Sequence, residues 1–122
     1  LTIIGHTYGY IALKYEGNPG FYAIECVRGD VTSPQYTGEA EETVLRRIVV
    51  PAAEHYWLKI CMAEDGTFTL GFSFDGEEFL DIGHTIKAKK GTWTGAKLGI
   101  AALNDNNTTG SGYCDFAYIH VE

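Results

Sequence analysis

Residues 72–80 read FSFDGEEFL, two aromatic-bearing runs hinged on Asp75-Gly76, and the reading of this stretch decides the fold. Phe68, Leu70, Phe72 and Phe74 fall on one side of a strand over residues 67–74, with Thr69, Gly71 and Ser73 on the other. That period of two marks a strand with one face in a core. Asp-Gly then makes a tight turn, because glycine takes left-handed backbone angles without steric cost, and leads into a further strand over 78–82. Upstream, residues 55–63 set Tyr56, Leu58, Ile60 and Met62 against Trp57, Lys59 and Cys61, and Glu64-Asp65-Gly66 turns the chain. The region 55–83 is therefore predicted to be a three-stranded meander.

The rest of the chain repeats this grammar. Strands are predicted over 8–15 and 21–28, joined through the breakers Glu16-Gly17-Asn18-Pro19-Gly20, and over the β-branched run 44–50, which stops at Pro51. Strands over 96–103 and 113–121 flank a polar loop at 104–112. About eight strands at this spacing predict one all-β domain over residues 1–122, an antiparallel β-sandwich of jelly-roll type. The composition agrees. The 122 residues include 15 Gly, 8 Tyr and 45% hydrophobic residues, a set that favours short strands and tight turns.

Charge and cysteine content narrow the function classes. The net charge of −7, with nine scattered Lys and Arg, argues against nucleic acid, since phosphate neutralisation requires clustered cations. No apolar run approaches the roughly 20 residues of a membrane helix, so no membrane partner is expected. Cys26, Cys61 and Cys114 lack CxxC spacing and read as small buried hydrophobes. No G-x-S-x-G, phosphate loop or local histidine pair is present. The chain begins at Leu1, so it is expected to be part of a longer multidomain protein.

The order of these signals resembles the C-terminal concanavalin A-like β-sandwich domain of glycoside hydrolase family 43, the β-xylosidase and α-arabinofuranosidase type, or a carbohydrate-binding module related to it. The resemblance rests on Gly9-Tyr10-Ile11-Ala12-Leu13, on the aromatic strand after Asn18, on Tyr56-Trp57-Leu58-Lys59-Ile60, and above all on the 72–79 hairpin. It continues through Trp93-Thr94-Gly95-Ala96 and Leu98-Gly99-Ile100-Ala101-Ala102 to Asp115-Phe116-Ala117-Tyr118. Phe79 stands where that family usually has Trp, Ala117 replaces an acidic residue, and the family's first strands have no counterpart.

Candidate sites follow from both readings. Asp75, Glu77, Glu78 and Asp81 lie at a turn open to water, whereas a glycosidase needs two carboxyls across a cleft, one with a raised pKa. No catalytic residue is assigned. Aromatic rings are better candidates, because sugars stack their apolar C–H faces on them. Trp57 faces away from the Tyr56–Leu58–Ile60 stripe and is either displayed for binding or covered within the sandwich. Trp93, between Gly91 and Gly95, is either displayed or a loop anchor. The resemblance places Trp93 at a loop that helps close a xylosidase's substrate pocket. Asn104 and Asp105 lie in a loop long enough to touch a ligand. The strand tyrosines Tyr8, Tyr10, Tyr15, Tyr22 and Tyr36 read as packing. Asp115 matches the terminal acid near which related modules hold a structural calcium, the one cofactor the resemblance brings in.

The resemblance implies a non-catalytic accessory module of a xylan- or arabinoxylan-degrading glycoside hydrolase. It would stack on an oligo- or polysaccharide, or complete the cleft of a catalytic propeller upstream in the same chain. Placement outside the cell would suit a polysaccharide binder, and the cytoplasm an intracellular xylosidase. The alternative is a small stand-alone glucanase or lyase using a carboxylate pair.

Overall fold

The computed structural model describes residues 2–4, 7–32, 40–89, 97–103 and 113–122. Among them are eight strands: β1 (Thr2–Ile4), β2 (Thr7–Tyr15), β3 (Phe21–Asp30), β4 (Glu41–Pro51), β5 (Trp57–Met62), β6 (Thr67–Ser73), β7 (Leu80–Lys87) and β8 (Lys97–Gly99). Every pairing is antiparallel. The strands form a five-stranded sheet, β4-β3-β2-β1-β8, and a three-stranded sheet, β5-β6-β7. The all-β, concanavalin A-like sandwich read from the sequence is the fold observed, and the meander on either side of FSFDGEEFL is its smaller sheet.

The core lies between the sheets. Ile11 of β2, Ile24 and Cys26 of β3 and Val50 of β4 meet Phe68, Leu70 and Phe72 of β6 and Ile82 and Ile86 of β7. Burying each such aliphatic or aromatic side chain stabilises by about 1.5–3 kcal/mol. The sheets approach closely at Gly9, where a Cβ would sit 2.4 Å from Ile86 Cδ1. Since Ile11 and Leu13 point into this core, alternation sends Tyr8, Tyr10 and Lys14 to the outer face of the larger sheet.

The Asp75-Gly76 turn is built from its own side chains. The Asp75 carboxylate oxygen Oδ1 accepts the Glu77 and Glu78 amides at 2.8 and 3.0 Å, and Ser73 Oγ accepts the Gly76 amide at 2.9 Å. Gly76 has φ of 78°. These bonds satisfy backbone donors that the turn would otherwise leave unpaired.

Several boundaries differ from the sequence reading. The last strand is expected over residues 113–121, but residues 113–122 are exposed and carry no strand pairing among the described residues. A strand needs a partner for its amides and carbonyls, and alternation alone supplies none. The strand expected over 96–103 is confined to Lys97–Gly99, whereas β7 runs past the expected end at Ile82 to Lys87. There Gly83, with φ of 82°, lies in an irregularity of the β6–β7 register, so it bends the strand rather than ending it. Phe74 and Met62, assigned inward by period, lie near strand ends and are 41% and 63% exposed. Cys26 is buried as expected, but Cys61 and Cys114 are exposed.

Candidate functional site

The most organised surface lies on the outer face of the larger sheet. Tyr8 pairs across the β2–β3 ladder with Gly29, and Tyr10 with Val27. A Cβ on Gly29 would fall 2.0 Å from Tyr8 Cζ and 2.4 and 2.5 Å from the two flanking ring carbons. That near-symmetric pattern means the Tyr8 ring presents its face to Gly29 and lies flat across β3. The Tyr10 ring is within 9° of parallel to it, with centroids 6.4 Å apart. Two residues of strand rise come to about 6.6 Å, so the rings lie side by side along the sheet. Val27, which faces the same side as Tyr10, is 1% exposed.

Both hydroxyls converge on one carboxylate of β4. Tyr8 donates to Glu42 Oε1 at 2.7 Å and Tyr10 to Glu42 Oε2 at 3.0 Å. Burial, and then the hydrogen bond and charge of Glu42, push the Tyr8 hydroxyl up to about 12. The same causes, with smaller contributions from Tyr8 and Glu25, raise Tyr10 as well. Both tyrosines stay neutral donors at neutral pH. Beyond Glu42, Arg47 lies 3.5 Å from Glu25 and also pairs with Glu16 in the β2–β3 turn. Glu42 and Arg47 are five residues apart and would face opposite sides of a regular strand. A register shift opposite Cys26 and Val27 returns both to the outer face, as bulges do.

The smaller sheet places Trp57 differently from an open display. Its indole is half-buried, packs over the Gly76 turn so that a Cβ there would lie 2.9 Å away, and donates from Nε1 to the Tyr118 hydroxyl at 2.8 Å. The same face carries a depression of about 150 Å³ lined by Lys59, Cys61, Thr69, Gly71, Phe79 and Asp81, with Lys59 Nζ 4.9 Å from the Phe79 ring centre. It is smaller than the about 300–1,000 Å³ of usual ligand pockets.

Trp93, Asn104 and Asp105 lie outside the described residues. Asp115 is described and exposed, and no three acidic, His or Cys side chains converge as a metal site among the described residues. Among the described residues the displaced carboxyls are held ionised. Backbone amides of Glu77 and Glu78 lower Asp75, the Lys87 ammonium and Thr67 bring Asp65 down to about 2, and Arg28 with Thr7 holds Asp30 well below the usual carboxylate range. A general acid of a glycosidase requires the opposite displacement.

The tyrosine–glutamate cluster escaped the sequence reading because a tyrosine in a strand packs more often than it binds. The available signal was Tyr8 and Tyr10 at alternate positions on the side opposite Ile11 and Leu13. A third feature is the apolar surface of residues 97–103 and 113–122, where Leu103 and Tyr113 are 93% and 88% exposed and Leu98, Ile119 and Val121 are also exposed. Comparison with known proteins gives one family model, described as Beta xylosidase C-terminal Concanavalin A-like domain, which matches residues 1–122. No curated protein and no solved structure gives a match.

Proposed function

The chain belongs to the family of β-xylosidase C-terminal concanavalin A-like domains, and from that premise we propose that it is a carbohydrate-binding accessory module that holds plant-polysaccharide chains for a glycoside hydrolase. The observation that carries this reading is the pair of flat, parallel tyrosine rings with Glu42 at their ends. Sugar rings stack their C–H faces on such surfaces, and the carboxylate, already accepting one tyrosine hydroxyl at each oxygen, keeps lone pairs for sugar hydroxyls. The module makes and breaks no bonds. It raises the local concentration of substrate for the catalytic domain of the same protein, an effect of linkage rather than of chemistry.

Affinity electrophoresis in gels containing soluble plant polysaccharides tests this. The protein should be retarded, and Tyr10→Ala should migrate as in a sugar-free gel. Equal retardation of protein and variant would remove the platform from the account.

A second reading is favoured by the many large apolar side chains left exposed along residues 97–103 and 113–122, surface of the kind that a partner covers. In this reading the domain packs against a catalytic propeller, and Trp93, with Asn104 and Asp105 nearby in sequence, contributes to that enzyme's substrate cleft. Trp93→Ala in the full-length enzyme should then raise KM for xylo-oligosaccharides. An unchanged KM would exclude it.

A further inference from the structure

We infer that the Tyr8–Tyr10 platform selects an uncharged polysaccharide whose consecutive sugar rings share a plane, a flat ribbon, over a chain that winds as it advances. This rests on the reading of the platform as a sugar site and goes on to name the shape and charge of the ligand. Stacking requires each sugar face to lie parallel to the ring beneath it. Two neighbouring rings within 9° of parallel therefore demand that two neighbouring sugars be parallel. In a winding chain the second sugar is tilted away when the first is flat, and one of the two stacks is lost.

The rings are not free to tilt to follow such a chain. Tyr8 rests on Gly29 with no intervening side chain, Tyr10 stands opposite Val27, and both hydroxyls are tied to the same carboxylate. Lifting either ring breaks its bond to Glu42. Among the described residues the other outward positions paired across the β2–β3 ladder are Ala12, Lys14, Ala23, Glu25, Val27 and Gly29; none carries a further ring, and Glu25 lies 3.5 Å from Arg47.

Charge adds a second criterion. Glu42 closes the hydroxyl ends of the platform, and Glu25 lies close enough to act on Tyr10, while Arg47 is already paired with Glu25 and Glu16. Sugar hydroxyls can donate to Glu42, whereas an acidic substituent placed there meets a carboxylate with no unpaired cation described beside it. A chain carrying uronic acids should be disfavoured, most strongly at low ionic strength.

The test is sedimentation of the protein with insoluble cellulose, a flat β-1,4-linked ribbon, compared with binding to soluble xylohexaose and to a uronic acid-substituted xylan. Affinity for cellulose, per accessible site, should exceed that for xylohexaose by about tenfold, the ratio for one lost stack of about 1.4 kcal/mol. Tyr8→Ala and Tyr10→Ala should each abolish this preference. Tyr8→Phe and Tyr10→Phe keep the rings but release them from Glu42, so xylohexaose binding should persist while the ratio falls. Circular dichroism confirms that each variant is folded. Tyrosine-dependent binding that is as strong for xylohexaose as for cellulose would overturn the inference and leave the sugar-binding reading standing. Binding that does not depend on Tyr8 or Tyr10, or no binding to any of the three, would overturn both.

Discussion

Gly29→Ala tests the platform through the backbone beneath it. Gly29 is not among the glycines with positive φ, so alanine fits the backbone and the whole effect falls on the Tyr8 ring. The new methyl carbon would sit 2.0 Å from Cζ, against a normal carbon–carbon contact of about 3.5–4.0 Å. The ring must rise by about 1.5 Å or more. It then loses the 2.7 Å bond to Glu42, a hydrogen bond to a charged group of about 1.5–3 kcal/mol that is discounted here toward 1 because the site is exposed. Overpacking adds about 1–3 kcal/mol if the ring is restrained. Opposing these, replacing strand glycine with alanine contributes about 0.5–1 kcal/mol of stability. The net expectation is a loss of about 1–2 kcal/mol in urea unfolding monitored by circular dichroism. In a Tyr8→Ala background the clash is gone, and Gly29→Ala should stabilise by about 0.5–1 kcal/mol. The two mutations are therefore coupled by about 2 kcal/mol, within the range of contacting pairs. Additive mutations would refute the flat placement of Tyr8 on Gly29.

Three further outcomes follow from the same structure. Phe72→Ala empties the centre of the core, where the side chain is 3% exposed, and should cost about 3–5 kcal/mol; a loss below 1 kcal/mol would mean that the sheets do not pack as described. Gly76→Ala should be more destabilising than Gly17→Ala, because both glycines have positive φ but only Gly76 also faces the Trp57 indole; the excess should vanish in a Trp57→Ala background, as read by thermal unfolding. Asp30, Asp65 and Asp75 have folded pKa values below those of free carboxyls, so their contribution is present above about pH 3.9 and is lost as pH falls through the folded values. Thermal stability should drop on acidification below about pH 4, less steeply in Asp30→Asn, and an identical slope in that variant would contradict the Arg28–Asp30–Thr7 network.

The fold was legible where alternation and turn chemistry reinforced each other. Phe68, Leu70 and Phe72 repeat at period two and are followed by Asp75-Gly76, and both β6 and its turn stand where these signals put them. Residues 113–121 are rich in strand-forming residues but form no strand among the described residues, because pairing depends on an edge elsewhere in the chain that local sequence does not encode. The strand predicted to end at Ile82 continues through Gly83, a bend inside β7, since glycine serves turns and bends alike. The platform was harder to see. That Tyr8, Tyr10, Glu42 and Arg47 share one face requires the β2–β3–β4 register and the irregularity opposite Cys26 and Val27, and neither follows from period. Trp57 was conspicuous as a large ring opposite the apolar stripe, yet its indole is engaged with Gly76 and Tyr118.

The most direct test of the account is to record amide chemical shifts of the isotope-labelled protein while titrating a soluble β-1,4-linked oligosaccharide. The account requires the shifts that move to cluster on Tyr8, Tyr10, Val27, Gly29 and Glu42, with those of Trp57 and its hairpin unchanged. Shifts confined to the Trp57 hairpin or to the loop around Trp93, with β2, β3 and β4 silent, would contradict it.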